Sequence, residues 1–575
     1  MNNFLWKIGG EAGFGIMTAG LTLSKIASRS GYHIFDYAEY PSLIRGGHNT
    51  YEVLISSDKL YATREHIDLL VCLNKETYLM HKSRLSQSSI VVYDGEEFSI
   101  SENYIKVEMP FKRILKELQG QQLMANTTAL AASVALLKGD ASILHDIITV
   151  QFNRKGQEVV EYNKKFAEAG FSHIQNNYKH LIRPVLERRT DAEKLVLSGN
   201  EAFSLGSVMA DCRFYAAYPM TPTSIVLSIL AEWQVTTGMV VRHAEDEISV
   251  VNTALGAAHA GVRGAVGTSG GGFALMVETL SYAGIAEIPL VVFLGQRPGP
   301  ATGMPTWTEQ GDLLFACHAG HGEFPKIVLA PGDPKELLEL TMAAFNLADS
   351  YQLPVVIMGD KVLCESHMSV YRDEVVNLGD NYHIVRGKTV NTPSELPYLR
   401  YLATPDGISE RLIPGAAGVF YQANSYEHTQ DSHTSEDAAE RKTQVEKRNK
   451  KWQTYLHNDF QLPKVYGDFD HSDIVFVSWG GNKGAILEAQ KLLQNTGIRS
   501  AYLHFTHIYP LNKETILQQF PKGKRYILVE NNSHAQFGKL LAMETGMEIS
   551  EKILRYDGRP IAAEEIMSYI THING

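Results

Sequence analysis

Four stretches of the chain hold residue types whose spacing suits chemistry on a small anionic molecule. The first, Tyr218-Pro219-Met220-Thr221-Pro222-Thr223-Ser224, follows an apolar run, Phe214 to Ala217, that reads as a strand. Its prolines fix φ around Thr221 and restrict the residue before each. The Thr221 hydroxyl is therefore held at the C-terminal end of a strand, where open α/β sheets bind ligands. The alternative is an ordinary helix N-cap by Thr223 or Ser224. The second stretch, Arg242-His243-Ala244-Glu245-Asp246-Glu247, leads a helix that stays apolar to Ala260. Acids in a first turn commonly answer the helix dipole and do nothing more. Ile248, Val251 and Leu255, however, put Glu247 beside the apolar stripe, where a desolvated carboxylate is available for proton chemistry. The third, Gln296-Arg297-Pro298-Gly299-Pro300, closes the strand Leu290 to Leu294 and places Arg297 to grip a carboxylate with two parallel bonds. The fourth, Thr268-Ser269-Gly270-Gly271-Gly272, ends a neighbouring strand. Their convergence on one sheet edge says more than any single residue.

A separate glycine loop, Gly9-Gly10-Glu11-Ala12-Gly13-Phe14-Gly15, joins the strand Phe4 to Ile8 to a helix over Ile16 to Arg29. Such a turn exposes backbone N–H groups that favour phosphate. Its spacing is not GxGxxG, and Asp36 is a weak candidate for a ribose. Arg45, beside Gly46 and Gly47 after Tyr40-Pro41, could also face an anion. Phosphate binding and tight strand–helix packing both remain open for this loop.

The elements that must position these residues form α/β units. At 575 residues the chain needs several cores. Segment 1–185 opens with the glycine loop and continues through strands at 68–72 and 90–93 and an amphipathic helix near 126–137. Segment 190–375 has strands at 214–217, 264–268, 290–294, 327–330 and 354–358, apolar runs of the kind buried on both faces of a parallel sheet. Helices are expected at 248–260 and 334–348. Segment 380–465 is a linker, turn-rich at first and charged from Glu436 to Lys451, where a solvated helix is expected. Segment 468–575 is a last α/β unit, with strands at 474–478, 500–505 and 526–529 and a helix at 485–495.

Composition narrows the class. A formal charge of −11 disfavours nucleic acid as the main partner. The four cysteines, Cys72, Cys212, Cys317 and Cys364, form no CxxC pair, so ligand spacing for an iron–sulfur cluster or zinc ribbon is missing. They read as reduced core thiols of a cytoplasmic protein. The glycine-rich start does not read as a signal peptide, and no apolar stretch approaches the ~20 residues that span a bilayer. A soluble chain without metal ligands of its own is expected.

With these residues in view, the chain resembles the 2-oxoacid:acceptor (ferredoxin) oxidoreductase family, most of all its fused gamma–alpha subunits of the 2-oxoglutarate type. Tyr218 to Ser224 matches the family's Tyr-Pro-Ile-Thr-Pro-Ser signature except at Met220, and 268–284 and 296–303 are also close. Gly407-Ile408-Ser409, Pro414-Gly415 and Glu427-His428 resemble the alpha-subunit linker. Ser478-Trp479-Gly480, Val529-Glu530-Asn531-Asn532 and Tyr556-Asp557-Gly558-Arg559-Pro560 resemble its transketolase-C-terminal-like domain, with Ala535-Gln536 where Gly-Gln is usual.

The resemblance implies a multidomain α/β protein: a Rossmann-like gamma domain, a pyrimidine-type thiamine-diphosphate domain and the C-terminal domain. It implies that Glu247, nine residues before Gly256, serves the pyrimidine N1′ of thiamine diphosphate, within a cofactor pocket that includes Tyr218, Pro219 and Thr221. Thr221 and Arg297 would bind the substrate carboxylate, and Gly13, Gly15 and Arg45 would lie near coenzyme A. No Gly-Asp-Gly segment followed by asparagine is present, so Mg2+, the diphosphate site and a [4Fe-4S] cluster are expected from a beta partner. Ferredoxin as acceptor and a heterotetramer of two gamma–alpha and two beta chains follow from the same resemblance. Pyruvate or a branched-chain oxoacid is the alternative substrate. A nucleotide-dependent dehydrogenase built on the glycine loop and a non-catalytic scaffold subunit are the alternatives of another class.

Overall fold

The computed structural model describes residues 3–42 and 46–573. By its contacts the chain forms two compact units. The first gathers residues up to Ser198, Glu365–Val376 and those from Ala562 onward; the second holds Gly199–Cys364 and Asn377–Ile561.

In the first unit, β1 (Phe4–Glu11), β2 (His33–Glu39), β3 (His48–Ser56), β4 (Leu69–Cys72), β5 (Ile90–Tyr93), β6 (Ile105–Glu108) and β7 (Lys194–Ser198) share a sheet with the strand His367–Tyr371. The order is β6-β5-β4-β1-β3-β2, then His367–Tyr371, then β7. β1, β4, β5 and β6 run parallel, as the alternating pattern suggested, whereas β3 is antiparallel to both β1 and β2. The pair β2–β3 escapes an apolar-run reading because one sheet face is polar. Buried Lys7 lies opposite Glu52 in the register and bridges it at 3.1 Å, with Glu39 at 3.4 Å. The other face packs Phe4, Trp6 and Ile8 into the core. The helix Met124–Leu136 is buried at every position, not amphipathic as expected, because other elements of the unit enclose it.

In the second unit, β8 (Cys212–Ala217), β9 (Val240–His243), β10 (Arg263–Ser269), β11 (Leu290–Gln296), β12 (Ile327–Leu329) and β13 (Pro354–Asp360) form a parallel sheet in the order β12-β13-β11-β10-β8-β9. The strand His507–Tyr509 closes the β12 edge antiparallel. Every residue of β10, β11 and β13 is buried, which is why these strands read as continuous apolar runs. The chain runs from β8 outward to β9, then back across β8 to β10. That reversal opens a crevice at the C-terminal ends of β8 and β10, the position at which such sheets bind ligands.

A second, five-stranded sheet of this unit carries parallel strands Ile474–Trp479, Ser500–Phe505, Arg525–Glu530 and Glu551–Leu554, edged by antiparallel Lys464–Tyr466. The charged run of the linker segment forms the helix Ala438–Asn458. It is not fully solvated: Lys447 and Lys451 are 1% and 0% exposed. Both meet the buried carboxylate of Glu287, at 2.5 and 2.6 Å, so the charge pattern here is that of a buried ion cluster. The four cysteines are buried and form no disulfide. Among the described residues no helix is long and apolar enough to cross a membrane.

Candidate active site

The loops after β8, β9, β10 and β11 meet at the crevice of the second unit. Glu247 opens the helix Glu247–His259, and the capping duty falls to Asp246, whose carboxylate accepts the Ser249 N–H at 2.7 Å. Glu247 is thus free of that role. It is only 4% exposed, and its Oε1 is buried without a hydrogen-bond partner. Val250, Val251, Ala254, Leu255 and Ala258 form the buried stripe. Ile248, expected on it, is instead 50% exposed, because it lies about 100° around the helix from Glu247.

Gly272, in the first turn of the helix Gly270–Ala286, makes room for this carboxylate. A Cβ there would stand 2.5 Å from Glu247 Oε1 and 2.2 Å from Thr268 Oγ1. The buried Ser269 hydroxyl beside it also lacks a partner. An unmet carboxylate oxygen is costly inside a protein, where nearly all buried polar atoms are paired. Its presence at the end of a parallel sheet fits a ligand bearing a protonatable ring nitrogen. The residues present therefore suit the pyrimidine end of thiamine diphosphate.

Thr221 is half-buried, and the Arg297 Nη1 donates to its backbone carbonyl at 3.0 Å. The structure thus brings together the two residues expected at a substrate carboxylate. Burial lowers the pKa of the Arg297 guanidinium, with Asp312 opposing the shift. Thr223 occupies the N-cap position of the helix Ser224–Thr237, yet its hydroxyl makes no capping bond. It donates instead toward the carbonyls of Met220 at 3.2 Å and Thr268 at 3.3 Å, tying the turn to β10. Gly295 in β11 permits that approach, since a Cβ there would come within 2.6 Å of Thr223 and 2.8 Å of Pro222. Tyr218 and Pro219 are exposed at the mouth, Tyr218 at 40%.

Residues 309–312 went unnoticed in the sequence because Asp312 before the apolar Leu313-Leu314-Phe315 reads as a plain N-cap. In the structure Asp312 does not cap that helix. A Cβ on Gly270 would lie 2.5 Å from its Oδ2, so the carboxylate sits against the start of the helix Gly270–Ala286. Burial pushes this carboxyl up to about 6, with Arg297 pulling the other way. Gln310, fully buried, joins the loop to the five-stranded sheet: its Nε2 donates to the Trp479 carbonyl at 3.1 Å, and its Oε1 accepts from Asn482 Nδ2 at 2.6 Å and the Asn531 N–H at 3.1 Å. Glu530 of the Val-Glu-Asn-Asn stretch accepts the Phe537 and Gly538 N–H groups at 3.0 and 3.1 Å, so it serves the start of the helix Gln536–Thr545.

In the first unit the glycines divide their duties. Gly15, at φ +71°, packs where a Cβ would collide with the Asn126 amide, and a Cβ at Gly10 would press on Phe14 and Leu73. Gly13, at φ +95°, has open space. Arg45 lies outside the described residues. Asp36 is no ribose ligand here: it is 1% exposed and accepts from Ser24 Oγ, Tyr51 Oη and the His367 N–H at 2.7–2.8 Å. That spends its acceptor capacity within the fold.

Comparison with known proteins agrees with the two halves of this picture. Residues 206–447 match the family described as pyruvate flavodoxin/ferredoxin oxidoreductase, thiamine diP-bdg, and residues 5–173 match pyruvate ferredoxin/flavodoxin oxidoreductase. The 2-oxoacid:ferredoxin oxidoreductase subunit alpha of Saccharolobus solfataricus is 33% identical over 98% of this chain and 96% of its own length. The 2-oxoglutarate synthase subunit KorA of Methanothermobacter thermautotrophicus is 30% identical over 66% of this chain and 99% of its own. Among solved structures, the 2-oxoglutarate:ferredoxin oxidoreductase from Magnetococcus marinus, with 2-oxoglutarate, coenzyme A and succinyl-CoA bound, superposes with a TM-score of 0.91. It is 28% identical and covers 100% of this chain and 99% of that one. The chain therefore belongs to the 2-oxoacid:ferredoxin oxidoreductases, as an alpha subunit of that enzyme family.

Proposed function

We propose that this subunit serves a 2-oxoglutarate:ferredoxin oxidoreductase, which joins oxidative decarboxylation of 2-oxoglutarate to formation of succinyl-coenzyme A and passes the electrons to ferredoxin. The observation that carries the reading is the buried, unpartnered Glu247 carboxylate in the crevice that also holds Thr221 and Arg297. Thiamine diphosphate, when bound, supplies the carbanion chemistry that decarboxylation requires. Glu247 holds or shares a proton at the pyrimidine N1′, which fixes the orientation and protonation of that ring. Arg297 takes the substrate's 1-carboxylate and the Thr221 hydroxyl orients it, so the reacting carbon is held in place before chemistry begins. Tyr218 and Pro219 border the cofactor at the mouth. Gly13, Gly15 and Arg45 are assigned to coenzyme A; the open space over Gly13 supports this.

The diphosphate site, Mg2+ and a [4Fe-4S] cluster belong to a beta partner in this reading, and two copies of each chain make the working heterotetramer. The active complex is placed in the cytoplasm. The names of the M. marinus structure and of the M. thermautotrophicus relative support 2-oxoglutarate as substrate. A second reading, a broader 2-oxoacid specificity, is favoured by the generic name of the S. solfataricus relative. The test is anaerobic co-expression with the beta chain, then coenzyme-A-dependent viologen reduction with 2-oxoglutarate, pyruvate and a branched-chain oxoacid. The expected result is the highest kcat/KM with 2-oxoglutarate. Equal values across the panel would support the broader reading, and silence with every oxoacid in a cofactor-loaded complex would overturn the site.

A further inference from the structure

The stretch Tyr556-Asp557-Gly558-Arg559-Pro560 takes no part in the chemistry assigned to Glu247, Thr221 and Arg297, yet it lies against the loop that follows Arg297. The guanidinium carbon of Arg559 stands over the Trp307 ring, 3.3 Å from its centroid. Beside it, the Gly558 carbonyl accepts the Thr308 N–H at 3.1 Å. Glycine is needed at 558 on two counts: its φ is +82°, and a Cβ there would come within 3.1 Å of the Met304 Cε and 3.3 Å of the Trp307 Cβ. The turn has support of its own. Asp557 Oδ1 accepts the Arg559 N–H at 3.0 Å, and Arg555 grips both carboxylate oxygens at 3.0 and 3.1 Å. The Arg559 carbonyl accepts from Asn531 Nδ2 at 2.9 Å, while the Asn531 carbonyl accepts the Gln310 N–H at 2.7 Å. The loop is thus fastened at Trp307 and again three residues on.

A short series of contacts carries this fastening to the substrate residues. The Trp307 N–H donates to the Met304 carbonyl at 3.2 Å, and the Met304 N–H donates to the Pro298 carbonyl at 3.0 Å. Gly303, at φ +53°, lets the chain double back so closely that a Cβ there would collide with the Pro298 oxygen. Pro298 directly follows Arg297, whose Nη1 donates to the Thr221 carbonyl at 3.0 Å. We propose that Arg559 is a positioning residue for Arg297: its flat cation, stacked on Trp307, clamps the loop after β11, so that Arg297 and the Thr221 turn keep the geometry that receives the oxoacid carboxylate. This rests on the reading of Arg297 as the substrate's partner. Arginine suits the task better than lysine, because a planar guanidinium covers an indole face and still presents donors at its edge. The remoteness of Arg559 from the reacting carbon is no obstacle, since a misplacement of about 1 Å caused from afar can cost on the order of 10²-fold in rate.

The experiment measures KM and kcat for 2-oxoglutarate, and the unfolding midpoint, in the assembled complex. The variants are Arg559→Lys, Arg559→Ala, Arg297→Gln and the double variant Arg297→Gln/Arg559→Ala. Arg559→Ala is expected to raise KM on the order of tenfold with kcat little changed, because a displaced Arg297 grips ground state and transition state alike less well. Arg559→Lys keeps the charge without the flat face and is expected to raise KM by less. In the double variant kcat/KM is expected to match that of Arg297→Gln alone, since Arg559 acts through the residue already removed. Additive losses in the double variant overturn the proposal, as does an effect of Arg559→Ala confined to the unfolding midpoint. Should Arg559→Ala fail to assemble, a wild-type KM in Arg559→Lys overturns it. Arg297→Gln separates the two readings. If it leaves KM unaltered, the assignment of Arg297 to the substrate fails; if it raises KM while both Arg559 variants match wild type, only the role of Arg559 fails.

Discussion

Two buried glutamates of the second unit, Glu247 and Glu287, are used in opposite ways. Glu287, 0% exposed, ends the helix Gly270–Ala286 and meets two lysines of the linker helix at 2.5 and 2.6 Å. Burial pushes its carboxyl up, but Lys447, Lys451 and Arg400 more than reverse this and hold it far below the usual range. Arg400 also donates to the Glu287 backbone carbonyl at 2.8 Å. Glu247 has no such company, and one of its oxygens lacks any partner. A buried charge must be neutralised somewhere. At Glu287 the fold does so itself; for Glu247 the proposed partner is a ligand from outside the chain. On that proposal the difference separates a residue that fastens the linker from one that serves a ligand.

Exchanging charge for amide at each glutamate sharpens this contrast. Glu247→Gln keeps the shape and removes the proton site, so turnover in the assembled complex is expected to fall by roughly 10²–10⁴-fold. Its unfolding midpoint should hold or rise; a variant that reduces viologen at the wild-type rate would remove Glu247 from the chemistry. Glu287→Gln leaves two buried lysines uncompensated and is expected to cost about 3–5 kcal/mol, read by denaturant unfolding. Turnover per folded complex should survive it. If this variant were as stable as wild type but inactive, the contrast would be reversed.

A smaller effect is expected at Glu427, which accepts from Arg448 at 2.7 and 2.9 Å and also pairs with Arg441. Burial raises this carboxyl, and the two arginines outweigh it, bringing it down to about 2. An acid depressed in the folded state stabilises above its unfolded value near 4.5, and that contribution is lost as pH falls toward 2. Glu427→Gln should therefore flatten the acid limb of stability between about pH 4.5 and 2. Thermal melts of the complex over that range check it, and an unchanged slope would show that the pair contributes nothing.

Much of the parallel architecture was legible because its strands are buried on both faces. Leu290 to Leu294 and Pro354 to Met358 sit inside longer observed strands, and the helix Ile16–Arg29 ends where it was expected. The strands β2 and β3 were missed because Lys7, Glu39 and Glu52 satisfy one another across the sheet and interrupt the apolar pattern. The linker helix misled for a related reason: Lys447 and Lys451 carry the signature of a solvated face until a buried carboxylate lies opposite them.

The site divides along the same line. Residue type and strand-end position determined Thr221, Glu247 and Arg297 as candidates, because prolines, helix starts and strand ends are local features written in consecutive residues. Only the tertiary structure decided which acid caps the helix and which stays unmet, and that Gly272 is small to admit Glu247. Those relations join residues distant in the chain, and burial and pairing across such distances exist only once the sheet brings its loops together.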